Sequence, residues 1–443
     1  MEGFHPRVAC PHCGSMHERV PIAVRAQANC RQCGYVLYHR SSISLTGWIA
    51  LVLAALVVFA IANLSPLGSL TLAGKEVHAT LPQALRMTWV QGHIGLSLMT
   101  GLFAFLIPLT QLLFLLWALL CLAKGRLPWD FRHGMRILRH LAPWSMMPVL
   151  LLAIVVAIVK LAGMARLEPG PAIWAFAVLS ILMTMLSRVT ALSLWREAED
   201  AGLAPVSGRR LKDRQMAASC SDCGYVQPAG LAHCGRCGAR VHRRKPDSLS
   251  RAAALVVAAT ILYIPANILP VMWVRTPAGL SSHTIIGGVI ELWQLGSWDL
   301  AVIVFIASVV VPMTKLLALS VLMLKRRWAN AATQRQRTRL YELVEFIGQW
   351  SMLDVFVVVL LSAMADFPGI SQVQAGSGAF SFGLVVVLTM LAALSFDPRK
   401  GWDARPAQAH SVPDAGRPVP GNRTGVAGRA IIPQITHDAR QDD

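Results

Sequence analysis

The chain is short of charge. Only 14% of its 443 residues are Asp, Glu, Lys or Arg, while 55% are hydrophobic. That balance excludes an ordinary soluble domain and places the chain in the membrane class. Acidic residues are the scarcest group, 23 against 41 Lys and Arg, which leaves a net charge of +18. Whole motifs are missing as well. Without a Walker A loop, an HExxH pair or a G-x-S-x-G elbow, P-loop ATPases, zincin proteases and serine hydrolases of that type are excluded. We expect no enzyme. The polar, cysteine-bearing N-terminus does not read as a cleavable signal peptide.

What is present in quantity is long apolar runs. A membrane span needs about 20 mostly apolar residues, and hydropathy gives eight candidates. They are 44–64, 94–123, 143–163 and 172–194 in the first half, then 252–272, 300–324, 346–365 and 380–396 in the second. Basic residues crowd alternate loops: Lys124, Arg126, Arg132, Arg136 and Arg139 in one, Lys325, Arg326, Arg327, Arg335, Arg337 and Arg339 in another. More of them, from Arg209 to Lys245, lie between the halves. This asymmetry predicts that both termini and the inter-half segment are cytoplasmic. It also accounts for the net charge as a topology and lipid-headgroup signal, so no nucleic-acid partner is expected.

The chain repeats itself at an offset of about 204 residues, the mark of duplication and fusion. Ala62-Asn63 returns as Ala266-Asn267, Trp89 as Trp293, and Ile107-Pro108-Leu109-Thr110 as Val311-Pro312-Met313-Thr314. Trp144-Ser145-Met146 returns as Trp350-Ser351-Met352. Four spans per half, starting on the same side, make parallel rather than inverted repeats.

Each half opens with two C-x2-C pairs: Cys10, Cys13, Cys30 and Cys33, then Cys220, Cys223, Cys234 and Cys237. A glycine follows the second cysteine of every pair. Two such knuckles make a closed, structural four-thiolate zinc site. A rubredoxin-type iron centre and disulfides are the rivals, the latter disfavoured in a reducing cytoplasm. Each module is too small for its own core, so the metal would supply folding energy. His12, His17, His233 and His242 read as bystanders, and Cys121 as a small buried apolar residue.

Inside the spans, Lys315 sits about 15 Å deep, too deep to snorkel easily, with Pro312 and Thr314 beside it. Its first-half counterpart is Gln111. Asp354, two turns into the seventh span, has Pro148 as its counterpart and is the natural partner for Lys315. The pair reads equally as a proton relay or as a structural salt bridge. Lys160 and Asp366 match each other at the far ends of their spans, where snorkelling is expected.

These features predict an all-α polytopic membrane protein of two parallel repeats, each of four helices preceded by a small cytoplasmic zinc-ribbon-like module. The predicted segments are module 1 at 1–40, membrane domain 1 at 41–196 and a linker at 197–217. Module 2 at 218–245, membrane domain 2 at 246–397 and a disordered tail at 398–443 complete the chain.

The paired knuckles and several longer strings together carry a family likeness. They are Pro265-Ala266-Asn267-Ile268-Leu269-Pro270, Val311-Pro312-Met313-Thr314-Lys315, Gln349-Trp350-Ser351-Met352-Leu353-Asp354 and Ser395-Phe396-Asp397-Pro398-Arg399 with Trp402-Asp403. The pattern resembles the paraquat-inducible protein A family, with its PqiA and LetA (YebS) branches of intermembrane transport proteins. The resemblance implies a multi-pass protein of the bacterial inner membrane, working with an MCE-domain partner that crosses the periplasm. It implies a role in handing membrane lipids to or from that partner, without an ATPase, and hence an ionic energy source, protons being the candidate. Lys315 and Asp354 match family polar positions, whereas Pro148 departs from the pattern and favours the second half as the working one. A membrane-anchored zinc or thiol stress sensor and a passive scaffold for the MCE partner are the competing readings.

Overall fold

A computed structural model describes residues 6–403, apart from 73–74, 163–165, 210, 212–215, 277–278, 295, 297, 325–330 and 365–371, together with 429–431. The first half contains α1 (Leu45–Leu64), α2 (Leu81–Val90), α3 (Ile94–Gly101), α4 (Ile107–Ala123), α5 (Phe131–Leu141), α6 (Met147–Ala162), α7 (Pro171–Leu186) and α8 (Ala191–Asp200). The second contains α9 (Ser248–Ile268), α10 (Ile285–Gln294), α11 (Trp298–Phe305), α12 (Val311–Leu324), α13 (Ala331–Gly348), α14 (Leu353–Met364) and α15 (Ser377–Ser395). Among the described residues seven helical runs are long and apolar enough to span a membrane, or eight if α7 and α8 count as one run bent by 50°. The protein is a multi-pass, mostly helical membrane protein built from two parallel repeats, each headed by a four-cysteine ribbon.

The repeat reaches into local geometry. α3 runs into α4 through a π-turn at Leu102–Leu106, and α11 into α12 through another at Ile306–Val310. Pro108 and Pro312 each stand two residues beyond the turn. A proline lacks an N–H and its ring crowds the carbonyl one turn earlier. Widening that turn by one residue relieves the clash while keeping the helix continuous. Likewise α5 meets α6 through a 3-10 turn at Ala142–Trp144, and α13 meets α14 through one at Gln349–Met352.

The first and last helices of each half pair with each other, α1 on α7 and α9 on α15, while α6 and α14 pack together between the halves. Burial grades accordingly. The α13–α14 run is 71% buried against 28% for α1 and 22% for α9, so the third helices are central and the first ones face lipid. α14 also lies on α2 of the other half, where Thr88 and Ser362 bring their hydroxyls within 3.3 Å. The reciprocal contact sets Val156 of α6 against Leu292 and Ala301.

Opposite the ribbons, each half forms a three-stranded antiparallel sheet: Gly68–Leu72 between Lys75–Ala79 and Arg166–Pro169, and Met272–Thr276 between Gly279–His283 and Gln372–Ala375. Each sheet is anchored to the last helix of its half by one glycine. Gly170 donates its N–H to the Leu67 carbonyl at 2.9 Å, and Gly376 to Val271 at 2.7 Å. A Cβ there would lie 2.2 Å from the Pro66 oxygen or 2.1 Å from the Pro270 oxygen. Backbone cannot yield as a side-chain tip can.

Several expectations need correction. The fourth span was expected to run to Leu194, but α7 stops at Leu186 and the Thr190–Ser193 capping box starts α8 in a new direction. The basic loop after Lys124 contains a helix, α5, and the short α2, α10 and both sheets were not expected. The tail does not loosen at Pro398. Residues Pro398–Gly401 form a 3-10 turn, Trp402 is buried, and Asp403 is bound. Lys160 lies in α6 with its side chain outside the described residues, as is all of Asp366.

Gly376→Ala should therefore lower stability by about 1–3 kcal/mol or more, read as a fall in thermal midpoint in detergent. Gly288→Ala, on an open face of α10 with nothing within 4 Å, should be neutral or slightly stabilising.

Candidate metal centres and the polar sites of the membrane halves

Four copies of one turn build the two thiol clusters. In each, the glycine N–H bonds back to the first cysteine: Gly14 to Cys10 at 2.9 Å, Gly34 to Cys30 at 2.9 Å, Gly224 to Cys220 at 3.0 Å and Gly238 to Cys234 at 2.9 Å. Each of these glycines has φ between 70° and 85°, a conformation that other residues resist. The turn leaves both thiols on one side. Within each cluster all four sulfurs lie within 4.8 Å of one another and are buried. Cys10–Cys33 and Cys13–Cys30 are both 3.5 Å apart, Cys220–Cys237 3.6 Å and Cys223–Cys234 3.5 Å. A tetrahedral ion with bonds of about 2.3 Å to sulfur spaces its ligands by about 3.8 Å. The clusters fit such an ion closely and present no open position.

The neighbouring histidines differ. His17 is fully buried with Nε2 3.3 Å from Cys30 Sγ and 2.9 Å from the Ser15 hydroxyl, so it supports the first cluster from outside. His12 stacks on Tyr35 with ring centroids 4.0 Å apart and faces Glu342 at 3.4 Å. Burial lowers its pKa to about 4, so the ring faces that carboxylate uncharged.

The ribbons are crossed. The first touches α13 of the second half, through His12–Glu342 and through Arg335, which donates to the Gln32 carbonyl at 2.8 Å. Trp402 completes the first ribbon's core, and Asp403 holds Arg244 beside Gly14. The second ribbon sits on α5 and α8 of the first half. Arg136 meets Asp222 at 3.3 Å and donates to the Cys237 carbonyl at 3.3 Å. Arg236 is buried against Glu199, with Tyr225 at 4.8 Å and Trp195 at 5.7 Å under its guanidinium. His12 and Asp222 occupy the same place in their knuckles, and Glu342 and Arg136 the same place before the tryptophan motif. The carboxylate thus lies on the helix in one copy and on the ribbon in the other. Docking either ribbon on the wrong helix would face Asp222 with Glu342, or His12 with Arg136.

The polar residues of the spans separate. Lys315 is 1% exposed, and its Nζ donates to the Gly348 carbonyl at 3.3 Å, at the junction of α13 and its 3-10 turn. No ion pair joins it to Asp354 among the described residues. Asp354 lies in the first turn of α14, where a helix N-terminus favours negative charge. Thr314 is exposed, turned about 100° round α12 from the buried Lys315, so it does not share that site. Gln111 is half-buried at the corresponding place on α4. Where the lysine stands its neighbour is Gly348, whose Cβ would come 3.3 Å from Lys315 Cε and Nζ; where glutamine stands the counterpart is Ala142.

The profile of the family described as Paraquat-inducible protein A matches residues 45–199 and again 249–405, which are the two membrane halves. The chain belongs to the paraquat-inducible protein A family. It is 31% identical to the Escherichia coli K12 "Intermembrane transport protein PqiA" over 410 residues, 91% of this chain and 97% of the relative. It is also 31% identical to the "Lipophilic envelope-spanning tunnel protein A" of the same organism over 399 residues, 89% of this chain and 91% of the relative. The "Probable intermembrane transport protein" of Haemophilus influenzae is 28% identical over 387 residues, 85% and 90%. No solved structure matches.

Sequence reasoning missed the Arg136–Asp222 and Arg236–Glu199 contacts, because it assigned Arg136 to topology alone. The apolar stripe of α5, with Phe131, Met135 and Leu138 buried, is the signal that a helix waits there for a partner.

Asp222→Arg should weaken ribbon docking by about 1 kcal/mol, and the double change Asp222→Arg with Arg136→Asp should restore it. Amide exchange in residues 217–241 measures both. Asp397 supplies a pH handle. Burial would raise its carboxyl, but bonds from Arg399 and the Lys245 amide outweigh this and hold it below its ordinary value. Its stabilising effect is present at neutral pH and lost as pH falls through the depressed value. Asp397→Asn should remove that part of the acid dependence of the melting temperature.

Proposed function

We propose that the protein is the inner-membrane component of an intermembrane lipid transport system and not an enzyme. It would hand lipid to or from an MCE-domain partner in the periplasm, with both termini and both ribbons cytoplasmic. The observation that carries this reading is a likeness to transport proteins that runs through both membrane halves and nine-tenths of the chain. The basic loops on the ribbon side support the orientation. Zinc is the proposed occupant of both thiol clusters, held by Cys10, Cys13, Cys30 and Cys33 and by Cys220, Cys223, Cys234 and Cys237, where it supplies folding energy and no reaction. Thiols this deeply buried weigh against a stress sensor, which needs reachable sulfur.

Protons are the proposed energy source and Lys315 the charged group in the path. Its ammonium bonds the carbonyl at the α13–α14 break, and a charged donor binds a carbonyl more strongly than a neutral one. Loss of the proton would loosen that break, next to the helix that lies between the halves. Asp354, a few residues further along, is the second candidate carrier.

Proteoliposomes bearing the protein and its MCE partner should exchange fluorescent phospholipid faster under a pH gradient. Lys315→Met should cut that rate at least tenfold while each protein still binds two equivalents of zinc by metal analysis. Unchanged exchange in Lys315→Met would remove the lysine from the mechanism, and no exchange in the parent protein would count against transport itself. Gly348→Ala, which crowds the ammonium, should slow exchange in the same direction.

A further inference from the structure

A cavity of about 670 Å³ lies between the first ribbon and the first membrane half, within the roughly 300–1,000 Å³ of small-molecule sites. Its lining combines two chemistries. It includes Arg19, Arg40, Arg188 and Arg196 with His39, and also the apolar Leu45, Trp48 and Leu119. Two acidic residues line it, Glu197 and Asp200, both exposed, and Asp200 is already engaged by Arg19. Arg196 is held in place, donating to the Leu37 carbonyl at 3.0 Å and the Leu192 carbonyl at 3.1 Å. One helix begins at the cavity, for Ser44, the N-cap of α1, lines it. Its positive end adds to the guanidiniums. The cationic field is felt locally. Burial lowers the pKa of His39, and Arg196 and Arg188 lower it further.

The depth of the cavity matters as much as its charge. Leu45 is the first residue of a 20-residue spanning helix, and Leu119 lies one turn before the end of α4. The cavity is therefore level with the headgroups of the ribbon-side leaflet, with its apolar floor leading into the bilayer. Ile43, which lines it, is exposed, and so is Leu120 next to Leu119. Guanidiniums grip phosphate oxygens in pairs, while Trp48 occupies the interfacial position that such a ring favours. A soluble anion would use the basic wall and leave the floor idle.

We propose that this cavity binds the phosphate headgroup of an anionic glycerophospholipid from the ribbon-side leaflet, its acyl chains descending past Trp48 and Leu119. Arg188 and Arg40 face the phosphate from the rim, and Arg196 and Arg19 from the inner wall. The inference rests on the orientation proposed above only in calling that leaflet cytoplasmic. The binding itself requires no transport and no partner, so its failure and the failure of the transport reading are separate results.

The test is native mass spectrometry of the full-length, metal-loaded protein with dioleoylphosphatidylglycerol or dioleoylphosphatidylcholine. Phosphatidylglycerol should be retained in preference. Retention should fall roughly tenfold or more in Arg40→Glu/Arg188→Glu, since each basic group near a headgroup contributes about a factor of five, and should survive in Arg188→Lys. A photoreactive phosphatidylglycerol should label peptides within residues 40–48 or 188–196. Equal retention of the two lipids, or unchanged retention in the double variant while both thiol clusters stay metal-loaded, would overturn the proposal. So would displacement of the lipid by millimolar inorganic phosphate or glycerophosphoglycerol, which would make it a soluble-anion site.

Discussion

Two small four-cysteine modules each rest on a helix from the other half of the chain. The contacts between them, His12 with Glu342 and Asp222 with Arg136, set how the two membrane halves stand to each other on the ribbon side. A four-thiolate cluster is rigid, and its turn geometry is repeated four times with the same hydrogen bond. Rigidity at that point passes through Arg236 and Glu199 into α8, and through Trp402 into the end of α15. A charge pair exposed on a soluble protein contributes little. Here the carboxylate lies on the helix in one copy and on the ribbon in the other, so the wrong docking would set Asp222 against Glu342, which is a matter of discrimination more than of strength.

The membrane core answers to a different constraint. In hydrocarbon every backbone group must find a partner within the protein, so breaks in helices occur where something repairs them. At the α13 break the Lys315 ammonium takes the Gly348 carbonyl. At the π-turns the widened ring keeps the chain hydrogen-bonded past a proline. At the sheet side, the glycine amides of Gly170 and Gly376 close the first strand onto the last helix. The same three repairs stand in both halves except at the lysine, where glutamine and alanine replace lysine and glycine. The halves share a scaffold and differ in charge at one junction.

Much of this was legible in the residues. Hydropathy located the spans, glycine after each C-x2-C pair gave the knuckles, and the recurring tryptophan and proline motifs gave the repeat. What was not legible had physical causes. α2 and α10 are too short and too mixed for a hydropathy window, and α5 and α13 hide in basic segments whose charges also report topology. The end of α7 depends on a local capping box at Thr190 that an apolar count does not see. Pairing Lys315 with Asp354 was reasonable by depth, but the side-chain direction on α12 is set by the turn before it, which no spacing rule reveals.

That turn has a geometric consequence. A π-turn holds one residue more than an α-turn, and one residue is about 100° of rotation. Everything beyond Ile306–Val310 is therefore turned by that angle relative to a straight continuation of α11. The inserted residue is what sends Lys315 inward and leaves Met313 and Thr314 facing outward. The polarity of the whole of α12 is thus set by a single extra backbone unit, like the keyway of a shaft. Removing that unit would cost a single side chain and yet aim the lysine at hydrocarbon.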